Sequence, residues 1–370
     1  MFLPEGPVSE ERQSTSQSDS GIGRTVLADL RRADLHRSVW RDLQDLYAFY
    51  LDDDERERLA RMSRLQRSMA TVGWLLRRLI LSLGPARRIL LMVAFGVGGY
   101  GLLGDRVSIV ALGFAALLLV LMFELRDKLL ARDELEVGRA VQLALLPADN
   151  PQLPGWDLWL YSRPANDVGG DVLDYLQLGE DKLGLTLGDV AGKGLGAALL
   201  AAKLQSTLRA LATDVGSLVG LCERTNRIFH RDGLPNRFAT LIFAEIRSNS
   251  GTVRFVNAGH MPPIALIGGQ LTTTDPVALP LGIKADAQYS EQQLHTTAGD
   301  FVVIYSDGLS EATNNADAMF GDDRVAKLVG TLVGLTAEQA GRKILSSVTD
   351  FVGDARPHDD LSLAILRRVE

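Results

Sequence analysis

Residues 188–199 read Gly-Asp-Val-Ala-Gly-Lys-Gly-Leu-Gly-Ala-Ala-Leu, near the middle of the chain. A β-rich run, 182–187, precedes this segment, and an Ala- and Leu-rich run, 194–213, begins inside it. This order predicts a strand, a glycine loop and a helix, because glycine adopts backbone conformations that other residues disfavour. Asp189 follows the end of the strand, so its carboxylate is a candidate ligand for a cation at the edge of a sheet.

Three further segments place an aspartate beside glycine or beside a second aspartate near a predicted strand. They are Val168-Gly-Gly-Asp171, Ser306-Asp307-Gly308 and His358-Asp359-Asp360. Each aspartate alone is more readily interpreted as a turn residue or a helix cap. Four such segments together supply the carboxylates and backbone carbonyls that Mg²⁺ and Mn²⁺ prefer. The single cysteine, Cys222, excludes a disulfide framework and a Cys-based zinc site, and is expected to fill the core.

Further strand and helix patterns predict a layered α/β domain that extends to the C-terminus. Predicted strands cover residues 156–163, 182–187, 238–246, 252–257, 301–305 and 361–366, and predicted helices cover 194–213 and 336–352. The five-residue loop 247–251 indicates a hairpin between its flanking strands. Helices before, between and after two groups of strands indicate stacked sheets with helical layers outside.

Charge divides the 370-residue chain into two chemically different parts. Residues 1–146 carry a net charge of +1 and the remainder −8, within a total of −7. The acidic excess therefore lies in the part that holds the aspartate segments, and the negative total argues against a nucleic-acid partner. A hydrophobic content of 46% and a charged content of 23% exclude wholesale disorder.

The N-terminal part predicts a tail, a helical region and two apolar helices. Residues 1–24 lack both an apolar period and a signal-peptide pattern, and are expected to form a disordered tail. Residues 25–83 show the apolar period of a cytoplasmic helical region. Two uncharged runs follow, 89–104 and 107–123, separated only by Asp105-Arg106. Both are near the short limit of about 17–25 residues for a spanning helix.

The flanks of the two apolar runs are basic. Residues 58–104 carry eight arginines and no Asp or Glu, and Arg126, Lys128 and Arg132 follow the second run. Positive residues on both outer flanks favour a hairpin with both ends in the cytoplasm. We therefore predict a two-helix transmembrane hairpin over 84–123 in the inner membrane, with a buried hairpin of a soluble protein as the alternative.

Residues 124–147 predict a helix that links the hairpin to a cytoplasmic C-terminal domain, 148–370. A partial apolar stripe is formed by Leu130, Val137, Val141 and Leu145. The stripe is typical either of a solvated linker or of a short coiled coil through which two copies form a homodimer.

The chain from residue 136 onward contains an ordered set of longer motifs. These are Ala140-Val-Gln-Leu-Ala-Leu-Leu-Pro147, Pro164-Ala-Asn-Asp-Val-Gly-Gly-Asp171, the 188–199 segment, Phe238-Ala-Thr-Leu, Asn257-Ala-Gly-His260, Pro280-Leu-Gly-Ile283, Tyr305-Ser-Asp-Gly-Leu309 and Asp359-Asp360. In this order they resemble the SpoIIE/RsbU type of bacterial metal-dependent (type 2C-like, PPM) serine/threonine protein phosphatase. The resemblance implies a four-layer α-β-β-α sandwich of two antiparallel sheets.

The resemblance also implies a site that holds two divalent cations, Mn²⁺ or Mg²⁺. Carried over position by position, the implied ligands are Asp189 bridging both cations, the Val190 carbonyl on one, Asp307 and Asp359 on the second, and Asp171 through water or as an outer ligand. Asp360 is an implied supporting group. Eukaryotic relatives have a histidine where this chain has Ala191, so the proton for the leaving group must have another source. His260 and Lys193 each have a catalytic and a purely structural interpretation.

The function implied is removal of phosphate from serine or threonine by a water that the cations activate. The implied substrate is a phosphoprotein, such as a phosphorylated anti-sigma-factor antagonist. One alternative is a pseudophosphatase that binds a phosphoprotein without turnover; the four aspartates favour an enzyme. A hydrolase of small phosphoesters is the other alternative, although the sequence contains no P-loop motif.

Overall fold

The computed structural model describes residues 63–234, 237–248, 250–274 and 278–369. The predicted tail and most of the predicted helical region 25–83 lie outside the described residues. The chain divides into two compact units, Met1–Asp127 and Lys128–Glu370. The second unit thus begins within the predicted linker helix.

In the described part of the chain, three helices precede the first strand: α1 (Arg64–Ser82), α2 (Pro85–Leu103) and α3 (Val107–Leu145). Two of them, α2 and α3, are long and apolar enough to cross a membrane by length and composition. A Cβ atom added to Gly113 would lie 2.7 Å from the backbone nitrogen of Gly98, so glycine permits α2 and α3 to pack closely. Near the open end of this hairpin, Arg87 pairs with Glu124 at 2.9 Å and also with Asp127.

The described part of the second unit contains two five-stranded antiparallel sheets. The strands are β1 (Trp156–Arg163), β2 (Asp171–Gly179), β3 (Lys182–Val190), β4 (Ala239–Arg247), β5 (Thr252–Ala258), β6 (Ile264–Ile267), β7 (Gln270–Thr273), β8 (Glu291–His295), β9 (Phe301–Tyr305) and β10 (Leu361–Arg368). The first sheet has the order β1-β10-β9-β6-β7, and the second has the order β2-β3-β4-β5-β8.

Among the described residues of this unit, five helices follow the first strands and accompany the sheets. They are α4 (Leu195–Ala212), α5 (Leu218–Asp232), α6 (Asp307–Ser310), α7 (Asp322–Val329) and α8 (Ala337–Val352). Gly194 precedes α4 with a φ of 76°, a conformation that favours glycine. The Ser217 side chain caps α5, and Thr336 with Gln339 forms a capping box on α8.

Three hydrophobic clusters separate four layers. Strand β4 lies between two of them, because successive side chains of a strand point to opposite faces. Leu241 and Phe243 pack with α4 and α5, whereas Ile242, Ala244 and Ile246 face the other sheet. The third cluster joins the first sheet to α7 and α8. The order is therefore α-β-β-α, and the predicted fold class is confirmed.

Candidate metal centre

The pairing of β2 with β3 brings two of the predicted aspartates together. Asp171 and Asp189 are direct partners in this antiparallel pair. The backbone nitrogen of Val190 donates a hydrogen bond to the Gly170 carbonyl at 3.1 Å. A Cβ atom on Gly170 would lie 2.7 Å from both Asp189 Oδ1 and the Val190 carbonyl oxygen. These two predicted ligand oxygens therefore face the same glycine.

The other two predicted aspartates follow and precede neighbouring strands of the first sheet. Asp307 begins α6 two residues after the end of β9, and Asp359 lies two residues before the start of β10. Ser306 connects their loops, since its hydroxyl donates to the Asp360 carbonyl at 3.1 Å and accepts from the Ser362 backbone nitrogen at 2.8 Å. These contacts hold the Asp307 and Asp359 loops next to each other.

Asp360 organises the loop that precedes β2. Its buried carboxylate accepts hydrogen bonds from the backbone nitrogens of Ala165 at 2.8 Å and Gly170 at 2.6 Å. A longer contact of 3.4 Å reaches the nitrogen of Asp171. With its oxygens occupied by N–H donors of β2 and its loop, Asp360 holds the backbone that leads to Asp171, and its supporting role at a metal site stays a prediction.

Mutual repulsion marks these carboxylates as one electrostatic cluster. Burial, followed by the charges of Asp307, Asp359 and Asp360, raises the pKa of Asp189 to about 7. Burial and then Asp359 and Glu311 raise the pKa of Asp307 to about 6. Burial, with further effects from Asp189 and Asp360, holds the pKa of Asp171 well above its ordinary value.

The donor set fits a hard divalent cation. All the predicted ligands are oxygens, and Asp171 Oδ2 is buried without a hydrogen-bond partner. Among the described residues, no three His, Cys, Asp or Glu side chains are arranged to enclose one ion. A cation that takes one or two carboxylates and keeps several waters does not require such a cage. The cation assigned to Asp189, Asp307 and Asp359 does require one, so its binding would have to bring these three side chains together.

Two cationic side chains flank the aspartates. Lys193 Nζ lies 3.3 Å from Asp359 Oδ2 and donates to the His358 carbonyl at 2.7 Å. Arg237 Nη1 donates to the Ala191 carbonyl at 2.5 Å, one residue beyond the predicted ligand Val190. Two positively charged side chains therefore lie next to the aspartate cluster.

The structure favours the structural interpretation of His260. Its ring is buried between Thr240 Oγ1, 2.8 Å from Nδ1, and the Tyr305 carbonyl, 3.1 Å from Nε2. Its backbone nitrogen donates to Asn257 Oδ1 at 2.7 Å. Burial lowers the pKa of His260 to about 4, so the ring is neutral at physiological pH.

We expect the buried His260 to make the protein sensitive to acid. In the unfolded chain the side chain of residue 260 has an ordinary histidine pKa near 6.5, whereas in the folded chain it binds a proton only near pH 4. The free energy of unfolding should therefore fall by up to about 1.4 kcal/mol per pH unit below pH 6.5. His260→Gln, which cannot titrate, should lack this part of the slope in denaturant titrations; identical slopes would contradict the assignment.

Sequence reasoning missed two residues that contact or influence the site. Glu311 lies four residues after Asp307, a helical spacing that brings its charge near. Gln142 of α3 makes a two-point contact with Gly169, donating to its carbonyl at 2.8 Å and accepting from its nitrogen at 3.0 Å. The sequence contained Gln142 within a quoted motif, but only the fold reveals that contact.

The sequence matches the family described as Stage II sporulation protein E (SpoIIE) over residues 179–369. The chain belongs to the SpoIIE family. The resemblance drawn from the motifs is thereby confirmed. The phosphoserine phosphatase RsbU of Bacillus subtilis (strain 168) is 26% identical over 239 residues, which cover 64% of this chain and 70% of RsbU.

A second similar protein is much longer. IcfG of Synechocystis is 28% identical over 225 residues, which cover 52% of this chain and 35% of IcfG. The chain thus spans about a third of that relative's length.

Two solved structures share the fold of this SpoIIE-family chain. The SiaA-PP2C domain of Pseudomonas aeruginosa superposes with a TM-score of 0.56 at 19% identity, covering 65% of this chain and 98% of that domain. The PP2C phosphatase domain of SpoIIE from Bacillus subtilis, with a fragment of its regulatory domain, gives 0.52 at 17% identity, covering 59% and 64%. These likenesses concern the fold.

Proposed function

We propose that this chain is a membrane-anchored, metal-dependent phosphatase that removes phosphate from phosphoserine or phosphothreonine in a protein. The observation that carries the proposal is the edge at which Asp171 pairs with Asp189 in one sheet, while the charge of Asp189 is coupled to the charges of Asp307 and Asp359 at the end of the other sheet. Family membership supports it, and so do the relatives RsbU and RsbP, both named phosphoserine phosphatases.

Each residue has a distinct role in this proposal. Asp189 would help to hold both of two cations, Mn²⁺ or Mg²⁺, of which one would also take the Val190 carbonyl and the other Asp307 and Asp359, while Asp171 would act through water or as an outer ligand. When bound, such cations lower the pKa of water and neutralise phosphoryl oxygens. Lys193, exposed beside Asp359, adds a positive charge that attracts the phosphate dianion. Ala191 offers no proton, so the leaving group takes one from solvent.

The proposed substrate is a phosphorylated signalling protein of the anti-sigma-factor antagonist type. A phosphoproteome comparison tests both the reaction and the substrate class. A strain that carries Asp189→Ala should accumulate a small set of phosphoserine or phosphothreonine sites relative to the wild type. Indistinguishable phosphoproteomes would contradict the proposed activity.

We place the hairpin 84–123 in the inner membrane, with the phosphatase domain in the cytoplasm. Its support is the length and exposed apolar surface of α2 and α3, together with the basic flanks. The linker segment of α3 would carry a signal, in a monomer or in a homodimer, because Gln142 contacts the loop that leads to Asp171.

Breaking the linker helix should change phosphatase activity. Val137→Pro removes a helical hydrogen bond at an exposed position five residues before Gln142, at a local cost of about 3 kcal/mol. We expect a several-fold change in the Mn²⁺-dependent hydrolysis of p-nitrophenyl phosphate. Val137→Ala keeps the helix and serves as the control; equal activity in both variants would refute regulation through this helix.

A further inference from the structure

Helix α1 has the sequence pattern of a cationic amphipathic helix. It contains four arginines and no Asp or Glu. Apolar residues recur every three or four positions along it, at Leu65, Met69, Val72, Leu76 and Ile80. This spacing defines one apolar stripe, with arginines concentrated elsewhere on the helix. Such a helix requires either an apolar partner or a membrane surface.

The described residues on this stripe are exposed. Met69 is 72% exposed, and Ile80 is 39% exposed near the opposite end of the helix. Exposed apolar side chains on one face of a helix favour a covering surface, because burial of each such side chain stabilises the folded state. Something outside the described residues should cover this stripe.

The end of α1 is fixed to the beginning of the apolar hairpin. Only Leu83 and Gly84 separate α1 from α2. Arg88 of α2 donates from Nε to the Leu83 carbonyl at 2.8 Å and from its guanidinium to the Leu81 carbonyl. These bonds satisfy carbonyls that the helix end leaves unpaired. If α2 enters the bilayer at this point, the end of α1 lies at the membrane surface.

We propose that α1 lies in the membrane interface and binds anionic phospholipid, with its apolar stripe in the acyl boundary and its arginines among the headgroups. The inference rests on the proposed membrane anchoring. Charge complementarity carries it: α1 contains four arginines and no Asp or Glu, which matches an anionic leaflet. An acidic protein partner would also match the positive charge of α1, but it would not explain why α1 leads directly into the apolar hairpin.

The experiment measures the depth of α1 in vesicles. The full chain carries Met69→Cys on the stripe or Thr71→Cys, about 200° away on the helix. The native Cys222 is buried and leaves the introduced thiol to react. Each variant receives an environment-sensitive fluorophore and is reconstituted into phosphatidylcholine vesicles, with or without about a quarter phosphatidylglycerol, containing a nitroxide lipid as quencher. Flotation of the same vesicles reports whether the chain is anchored.

In the anionic vesicles we expect at least about twofold stronger quenching at position 69 than at position 71, as insertion by about 5–10 Å requires. High salt or omission of phosphatidylglycerol should reduce that difference. Equally weak quenching at both positions in chains that float with the vesicles would overturn the proposal for α1 and leave the anchoring intact. If the chain floats with anionic vesicles but not with phosphatidylcholine vesicles, the result would support binding of α1 to anionic lipid and contradict the transmembrane hairpin. If the chain floats with neither type of vesicle, both the α1 proposal and the membrane anchoring would be overturned.

Discussion

Replacing Asp189 with Asn is expected to abolish phosphatase activity and, at the same time, to make the metal-free protein more stable. Asp189 is the proposed bridge between both cations, so its loss removes the group that holds them together. Metal ions contribute several kcal/mol to stabilising a phosphoryl transition state, which corresponds to a loss of about three orders of magnitude in rate. Mn²⁺-dependent hydrolysis of p-nitrophenyl phosphate measures this loss.

The stability of the same variant should change in the opposite direction. In the metal-free protein, burial and the charges of Asp307, Asp359 and Asp360 oppose ionisation of Asp189. A neutral amide of the same shape removes that repulsion, and each kcal/mol gained raises Tm by about 2–4 °C in a domain of this size. Thermal unfolding in EDTA should therefore show a higher Tm for Asp189→Asn, while the Tm increase on adding Mn²⁺ should disappear.

Asp181→Asn is the matched control, because Asp181 is exposed in the turn that precedes the same strand. It should keep the activity, the metal-free Tm and the response to Mn²⁺. Retention of Mn²⁺-dependent activity by Asp189→Asn would show that the bridging assignment is wrong. An unchanged Tm in EDTA would show that the carboxylates do not repel one another strongly.

The spacing of apolar residues along the sequence predicted several strands that are buried on both faces and several helices that bury one apolar face. Helices α4 and α8 and strands β1 and β9 lie within one residue of their predicted bounds. Strand β2, which carries Asp171, was not predicted. Its Asp174 breaks the apolar pattern, yet it is buried because Arg209 of α4 pairs with it at 2.7 and 2.8 Å. A pairing across 35 positions of the chain leaves no local pattern.

The candidate site shows the same division. The glycine-flanked aspartates identified the chemistry, since hard cations need oxygen ligands and close backbone approach. Which aspartates meet was decided by strand register, and the placement of Asp171 opposite Asp189 depends on the turn between β2 and β3. The supporting role of Asp360 and the contact between Gln142 and Gly169 arise from packing between distant segments, so periodicity and spacing do not contain them.

Adding one methyl group at Gly170 should impair the site nearly as much as removing a ligand. In Gly170→Ala, the new Cβ would lie 2.7 Å from both Asp189 Oδ1 and the Val190 carbonyl oxygen. The Val190 oxygen belongs to the backbone and cannot move away as the end of a flexible side chain can. The methyl group must therefore displace the two oxygens that are proposed to bind the metal. Misplacement of a reacting group by about 1 Å costs on the order of 10²-fold in rate.

We therefore expect Gly170→Ala to lose about 10²-fold in p-nitrophenyl phosphate hydrolysis and to require much more Mn²⁺ for its Tm increase. Gly196→Ala is the matched control, because a Cβ there meets no atom within 4 Å and Gly196 lies inside α4. Alanine in a helix is favoured over glycine by about 1 kcal/mol, so this control should be slightly more stable and fully active. Full activity and an unchanged Mn²⁺ response in Gly170→Ala would mean that the Asp189 and Val190 oxygens do not bind the metal in this arrangement. The two variants thus distinguish crowding at the ligand oxygens from any general effect of glycine replacement in the motif.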